Sequence, residues 1–245
     1  RTKARRDLSK YETIQFYSGS VVNIEKSQTG FSAKFEDGSL GLCRKIVLAH
    51  GVRDVLPDIE GMQALWGKSI YHCPYCHGFE VRGARLGLVT SGAIAEHMLP
   101  MILSLSRDCV LFTQGLSGLS DNFLTKTRLL EIKIVEAKIM GLGIEGDRLK
   151  EVVLENGERV PRDGLFWAPQ LPYALKSDLG LKMGCETTEI GLYKVNDFGK
   201  TSIDGVFAAG DSAKGMHSVV QAMSSGQLAG AAAASEILQE NFLSQ

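Results

Sequence analysis

The chain has 245 residues, 44% of them hydrophobic, and sets 27 Lys and Arg against 28 Asp and Glu for a formal net charge of -1. That length suits one large or two modest folded domains. The near balance, with no basic cluster beyond a short start from Arg1 to Arg6 that Asp7 breaks, leaves no electrostatic footprint for nucleic acid or an acidic membrane surface.

No apolar stretch reaches the ~20 residues that span a bilayer and no secretory signal stands at the start, so a cytoplasmic protein is expected. The first residue is Arg1 rather than Met, and the opening residues read as the middle of a domain, as in a fragment of a longer chain. Cys43, Cys73, Cys76, Cys109 and Cys185 are too sparse for a stapled secreted scaffold. Cys43, Cys109 and Cys185 are expected as buried small hydrophobes.

In chain order, "TIQFYSGSVVNIEK" and "GFSAKFEDGSLGLCRKIVLAHG" carry runs of β-branched and aromatic residues between glycines. They read as strands, with a hairpin turn at Asp37-Gly38. "KIVLAHG" closes the region as an apolar run ending in Gly51, the pattern of a strand covered on both faces. Further on, "ARLGLVTSGAIAEHMLPMILSLSRDCVLFTQG" reads as strand, helix, strand, a βαβ unit. "LKEVVLENGERVPRDGLFWAPQ" then repeats the earlier plan, with a hairpin at Asn156-Gly157 and an apolar run ending at Ala168. Gly38 to Ala49 and Gly157 to Ala168 are both separated by eleven positions, which suggests two domains built alike. "TSIDGVFAAGD" is a short buried strand ending in Gly210-Asp211, and "HSVVQAMSSGQLAGAAAASEILQENFL" is a long helix whose small residues permit close packing.

Two glycine patterns invite a nucleotide reading. Gly141, Gly143 and Gly146 in "GLGIEG" match G-x-G-x-x-G in letters, but a strand and hairpin follow where the fingerprint needs a helix. "TSGAIA" is better placed, after a strand and before a helix, with Gly92 and Ala95 at two fingerprint positions and Thr90 where a glycine is expected. A Cβ at Thr90 crowds the tight turn, and "FTQGLSG" after the next strand offers neither an acid for a ribose nor an arginine for a 2′-phosphate.

The stretch with the most chemistry is "HCPYCHG", residues 72–78. Cys-x-x-Cys-His reads as a redox dithiol, half of a metal site, or a c-type haem attachment point. Zinc needs four ligands, and His72, Cys73, Cys76 and His77 are too contiguous to surround one ion easily. Covalent haem goes with exported chains and small helical domains, unlike this α/β pattern. In a dithiol, the two sulfurs stand where a disulfide can close, and a neighbouring cation or helix start favours attack as thiolate.

Taken together, "GVRDVLPDIEGM", "HCPYCHGFEVRG" and "TSIDGVFAAGD" resemble, in order and spacing, the linker, redox motif and second flavin motif of the flavin-dependent pyridine nucleotide disulfide oxidoreductases, in their thioredoxin reductase-like branch. The resemblance implies an α/β, two-domain flavoprotein with a Rossmann-like nucleotide domain inserted into an FAD domain that is incomplete here. Residues 1–62 and 196–245 would form the FAD domain, and 66–195 the inserted domain with the dithiol. By this resemblance Cys76 lies against the flavin and Cys73 meets the substrate. His77 stands where an acidic proton donor is usual, a variant similar to relatives acting on small dithiols, and can serve as acid or base near neutral pH.

The same resemblance places Gly210 and Asp211 at the ribityl and phosphate part of FAD, and Gln221 and Ala222 beside the isoalloxazine ring. Ala49 and Gly51 fall in the turn that closes on the flavin, with His50 where a threonine is common. A homodimer is implied, acting on a small disulfide or dithiol or on a thioredoxin-like protein, with no metal. Two departures stand out: no strand, G-x-G-x-x-G and helix precede Arg1, and the NAD(P) turn at Gly92 and Ala95 is degraded. The electron donor therefore stays open between NADH, NADPH and another donor. A small-molecule dithiol oxidase and a non-catalytic remnant acting as a binding module are the rival readings.

Overall fold

The computed structural model of the chain describes residues 2–168 and 173–245. They form two compact units, Arg1–Asp54 with Pro172–Gln245, and Val55–Leu171.

The first unit opens with a short helix α1 (Thr2–Leu8) and a three-stranded antiparallel sheet of β1 (Val21–Ser27), β2 (Gly30–Phe35) and β3 (Leu40–Cys43). Residues 14–17, read above as part of a strand, carry none, and Ile14, Phe16 and Tyr17 are exposed. A strand without a partner on either side has no ladder to hold it. The β2 to β3 turn falls at Asp37-Gly38, where Gly38 has φ 85° and the Asp37 carboxylate accepts from Ser39 N–H and Oγ. Strand β4 (Ile46–Leu48) follows, then β5 (Val52–Arg53). Cys43 is half-buried rather than buried, whereas Cys109 and Cys185 are enclosed.

The second unit contains α2 (Met62–Leu65), β6 (Ile70–Tyr71), α3 (Pro74–His77), β7 (Leu86–Val89), α4 (Gly92–Leu105), β8 (Cys109–Phe112), α5 (Asp121–Leu129) and β9 (Lys133–Val135). A meander of β10 (Ile139–Glu145), β11 (Arg148–Leu154) and β12 (Arg159–Pro161) leads to β13 (Gly164–Trp167). Its central sheet is parallel throughout, in the order β6-β13-β7-β8-β9. Period-two alternation splits its side chains cleanly. Leu86, Leu88, Leu111 and Phe166 pack with Ala95, Leu99 and Ile102 of α4 on one face. Val89, Val110, Phe112, Leu165 and Trp167 pack on the other, with Leu142, Leu149 and Val152 of the meander. Each Leu, Val, Ile or Phe among them contributes about 1.5–3 kcal/mol on burial. "GLGIEG" is the end of β10 and its turn into β11, with Gly146 at φ 64°.

The chain then completes the first unit with β14 (Ala174–Leu175), α6 (Leu179–Lys182), β15 (Val206–Ala208) and the long α7 (Val219–Leu243). Strand β15 runs parallel to β4, with Val206, Phe207 and Ala208 opposite Ile46, Val47 and Leu48. Small residues let α7 approach closely: a Cβ on Gly199 would come within 2.9 Å of Ala229 Cβ.

The boundaries of these units differ from the sequence-based 62/66 and 195/196. Residues 55–65 go with the second unit, because Leu142 N–H bonds Glu60 O at 2.9 Å and Met62 and Leu65 are fully buried in its core. Residues 173–195 go with the first, because β14 pairs with β5 and Tyr193 packs among Phe31, Leu48, Val206 and Ala208. Among the described residues no helix is long and apolar enough to cross a membrane.

Candidate active site

Cys73 is the N-cap of α3, in extended conformation, and Pro74 supplies the first helical position, where a missing N–H costs nothing. One turn later Cys76 presents its thiol to Cys73, and the two sulfurs stand 2.8 Å apart as free thiols. The hydrogen bond to Cys73, then burial, raises the Cys76 thiol above its ordinary range, since a donated proton is harder to lose. Cys76 is exposed and Cys73 half-buried.

Gly78 is the C-cap of α3 at φ -65°, an ordinary helical value, so its requirement is space. A Cβ there would overlap Pro74 O and come within 2.6 Å of the Leu105 side chain. His77 stacks on Tyr71 with ring centroids 4.9 Å apart. The buried Tyr71 hydroxyl donates to Lys68 O, the carbonyl that Arg148 also reaches at 2.7 Å. His77 is therefore braced by an aromatic ring with a fixed hydroxyl, while its own edge is exposed. Among the described residues no group of three or more His, Cys, Asp or Glu stands together as a metal site.

A second constellation lies in the first unit. Ala49 and Gly51 follow β4, and Gly210 and Asp211 follow β15, so both turns leave the carboxyl ends of two parallel strands, the usual seat of ligands in such sheets. Gly51 (φ 73°) and Gly210 (φ 69°) both have left-handed backbone, and nothing lies within 4 Å of a Cβ built on Gly51. Ser212 Oγ donates to Ala209 O at 2.9 Å and Leu48 O at 3.1 Å, pinning one turn to the other strand. Gly210 N–H donates to Ser225 Oγ of α7. That bond brings Ala222 to the turn, 3.6 Å from a Cβ on Gly210. Gln221 lies beside it, its N–H held by the Ser218 cap. The Asp211 carboxylate is half-buried, and among the described residues no hydrogen bond or ion pair engages it. No motif in the sequence singled out Tyr193, whose N–H donates to Ser212 O at 2.8 Å beside these turns. The His217 Nε2 is buried without a partner among the described residues, and its ring lies 4.6 Å from Tyr173.

Gly92 and Ala95 take the places expected of them at the start of α4, but the turn is closed by the chain itself. Gly92 N–H donates to Ser117 O at 2.8 Å. Ser120 N–H bonds Glu96 Oε1 at 2.6 Å, and Ser117 N–H bonds Glu136 Oε1 at 3.1 Å. A loop over residues 113–120 is thereby fastened across the helix start, using Gly115 and Gly118 at positive φ to turn. The Thr90 hydroxyl beside it is buried without a partner among the described residues. Ala95 is fully buried against the sheet.

Comparison with known proteins matches residues 3–226 to the family described as pyridine nucleotide-disulphide oxidoreductase. Thioredoxin reductase tcpT of Claviceps purpurea is 32% identical, over 98% of this chain and 78% of its own. Among solved structures, HlmI is 31% identical with a TM-score of 0.86, covering 99% of this chain and 76% of its own. An oxidoreductase from Agrobacterium tumefaciens is 29% identical with a TM-score of 0.85, covering 97% and 79%. FAD is the cofactor of this family, and the residues present fit it: an open left-handed turn at Gly51 and a half-buried Asp211 carboxylate free to accept from a ligand hydroxyl. With this fold, these turns and this coverage, the chain belongs to the pyridine nucleotide-disulphide oxidoreductases, as a thioredoxin reductase-like flavoprotein.

Proposed function

We propose that the protein moves two electrons between FAD and a disulfide or dithiol through Cys73 and Cys76, and the observation that carries this is the pair of free thiols 2.8 Å apart on one helical turn. In the reducing direction, the Cys73 thiolate attacks the substrate disulfide and displaces one substrate thiolate. Cys76 then attacks the mixed disulfide, its proton passing to the thiolate already displaced, and the second substrate thiolate leaves as the Cys73–Cys76 bond closes. Bound FAD would supply the two-electron carrier that, once reduced by a nicotinamide or another two-electron donor, returns the pair to its reduced form. His77, exposed at the end of α3 and stacked on Tyr71, holds the proton that a departing substrate thiolate needs. Asp211, Gly210, Ala49, Gly51, Gln221 and Ala222 hold and orient the flavin. The substrate is a small disulfide or dithiol, or a thioredoxin-like protein, the last as the name of the Claviceps relative suggests, and the protein works as a cytoplasmic homodimer.

The closed turn at Gly92 favours a second reading, a dithiol oxidase. There the same steps run backwards: a substrate dithiol gives two electrons and two protons, and molecular oxygen takes them up as hydrogen peroxide. The visible spectrum of the purified protein, with added FAD and then anaerobic NADPH, NADH or dithiothreitol, separates the readings. Bleaching by a nicotinamide supports the reductase, and bleaching by dithiothreitol alone supports the oxidase. In either case Cys76→Ser keeps the flavin and loses disulfide turnover; undiminished turnover refutes the mechanism.

A further inference from the structure

Tyr193, fully buried, touches both turns assigned above to the flavin. Its N–H donates to Ser212 O at 2.8 Å, the residue after Asp211. Its hydroxyl stands 3.2 Å from His50 Nε2, between Ala49 and Gly51. The other nitrogen of His50, Nδ1, is 3.1 Å from Gly51 O, and a carbonyl only accepts, so Nδ1 carries the hydrogen. In the neutral ring Nε2 is then an acceptor, and Tyr193 donates to it rather than across the longer 3.4 Å to Ser177 O. Gly51 O also receives Lys176 N–H at 3.1 Å, so the turn is held from two sides. Tyr193 reaches this position because Gly180 is a glycine: a Cβ there would come within 2.5 Å of the phenol oxygen.

We propose that Tyr193 and His50 are a pair of positioning residues for the flavin turns: Tyr193 fixes the His50 ring, and His50 fixes the Gly51 carbonyl, so the turn after β4 is tied to the turn after β15. The inference rests on the flavin reading for its purpose, and on geometry within one unit for its existence. Burial of His50, with the Lys176 ammonium nearby, pushes its imidazole below the usual range and keeps the ring neutral. Burial likewise pushes the Tyr193 phenol up to about 12, so it stays a donor.

The test has two arms. Nitrogen-15 NMR of the histidine rings, on the full chain without added flavin, reads the pair directly. The expected result is His50 as the Nδ1–H tautomer, with its Nε2 resonance shifted in Tyr193→Phe; an Nε2–H tautomer, or no shift in the variant, overturns the proposal. Titration with FAD then reads its purpose. Tyr193→Phe and His50→Leu should each weaken binding about tenfold, the double variant should be no worse than either, and His50→Gln, which can both accept and donate, should stay close to wild type. Additive losses, or none, overturn the positioning role. A wild type that takes up no FAD while showing the Nδ1–H tautomer refutes the flavin reading and leaves the pair standing.

Discussion

Cys76 donates its thiol hydrogen to Cys73 at 2.8 Å, and this bond, ahead of burial, is the main reason the Cys76 thiol holds its proton. The two cysteines of one turn are thus chemically unequal before any substrate arrives. Replacing Cys73 by alanine removes the acceptor, so the Cys76 pKa should fall toward the ordinary thiol value. The pH profile of Cys76 alkylation by iodoacetamide should move to lower pH in Cys73→Ala. A profile that stays in place or moves upward would show that the donor and acceptor roles are assigned wrongly.

The end of α7 is fastened by a charge cluster. Lys45 Nζ lies 2.8 Å from Glu236 and 2.6 Å from Glu240, Lys200 Nζ lies 2.8 Å from Glu236, and Arg44 pairs with Glu240. Lys200, then Lys45, lowers the Glu236 carboxyl below its usual range. A depressed folded pKa stabilises above the unfolded value, ~4.5, and that stability is lost as pH falls through the folded value. Lys45→Met leaves each glutamate another cation, so its cost at pH 7 should be modest, about 1 kcal/mol or a melting temperature roughly 2–4 °C lower. The deficit should shrink as pH falls below ~4.5. Melting curves at pH 7 and pH 3.5 check this, and a deficit that grows with acid would contradict it.

Hairpins at Asp37-Gly38 and Asn156-Gly157 and the strand-helix-strand of residues 86–112 were legible because their signals are local: a turn dipeptide, an apolar run, a helical period. The closeness of Cys73 and Cys76 was legible for the same reason. Residues 173–195 were not, since β14 has two residues and α6 four, too few for any period to show. Their allegiance is decided by contacts far along the chain, such as Tyr193 with Leu48. The carbonyl of Ser117 on Gly92 left no trace in the sequence either, because any residue can supply a carbonyl. "TSGAIA" departs from the glycine fingerprint at Thr90, and only the fold shows what lies across it.

Gly78 is predicted to tolerate no side chain. Its φ of -65° suits alanine, but the added Cβ would meet Pro74 O and Leu105. One contact is with backbone and cannot rotate away. Gly78→Ala should cost roughly 1–3 kcal/mol and force α3 to shift. Chemical denaturation and the rate of Cys73–Cys76 disulfide closure in the same variant test both. Wild-type stability with wild-type closure would mean that Leu105 and the turn yield freely.

The loop across α4 makes a prediction about the electron donor. Glu96 anchors Ser120 N–H, and Ser117 O takes the Gly92 N–H that a phosphate oxygen would otherwise claim. Wild type should bind NADH and NADPH weakly, and Glu96→Ala, with the loop unfastened, should bind at least about tenfold more tightly in a calorimetric titration. Removing a carboxylate also removes repulsion toward phosphate, so Glu96→Gln is the informative control: it drops the charge but retains an oxygen for Ser120. If the glutamine variant behaves as wild type, the fastening excludes the nucleotide. If it behaves as the alanine variant, charge does, and the loop is incidental. Tight binding of NADPH by wild type would sink both explanations, and with them the structural case for an oxidase over a reductase.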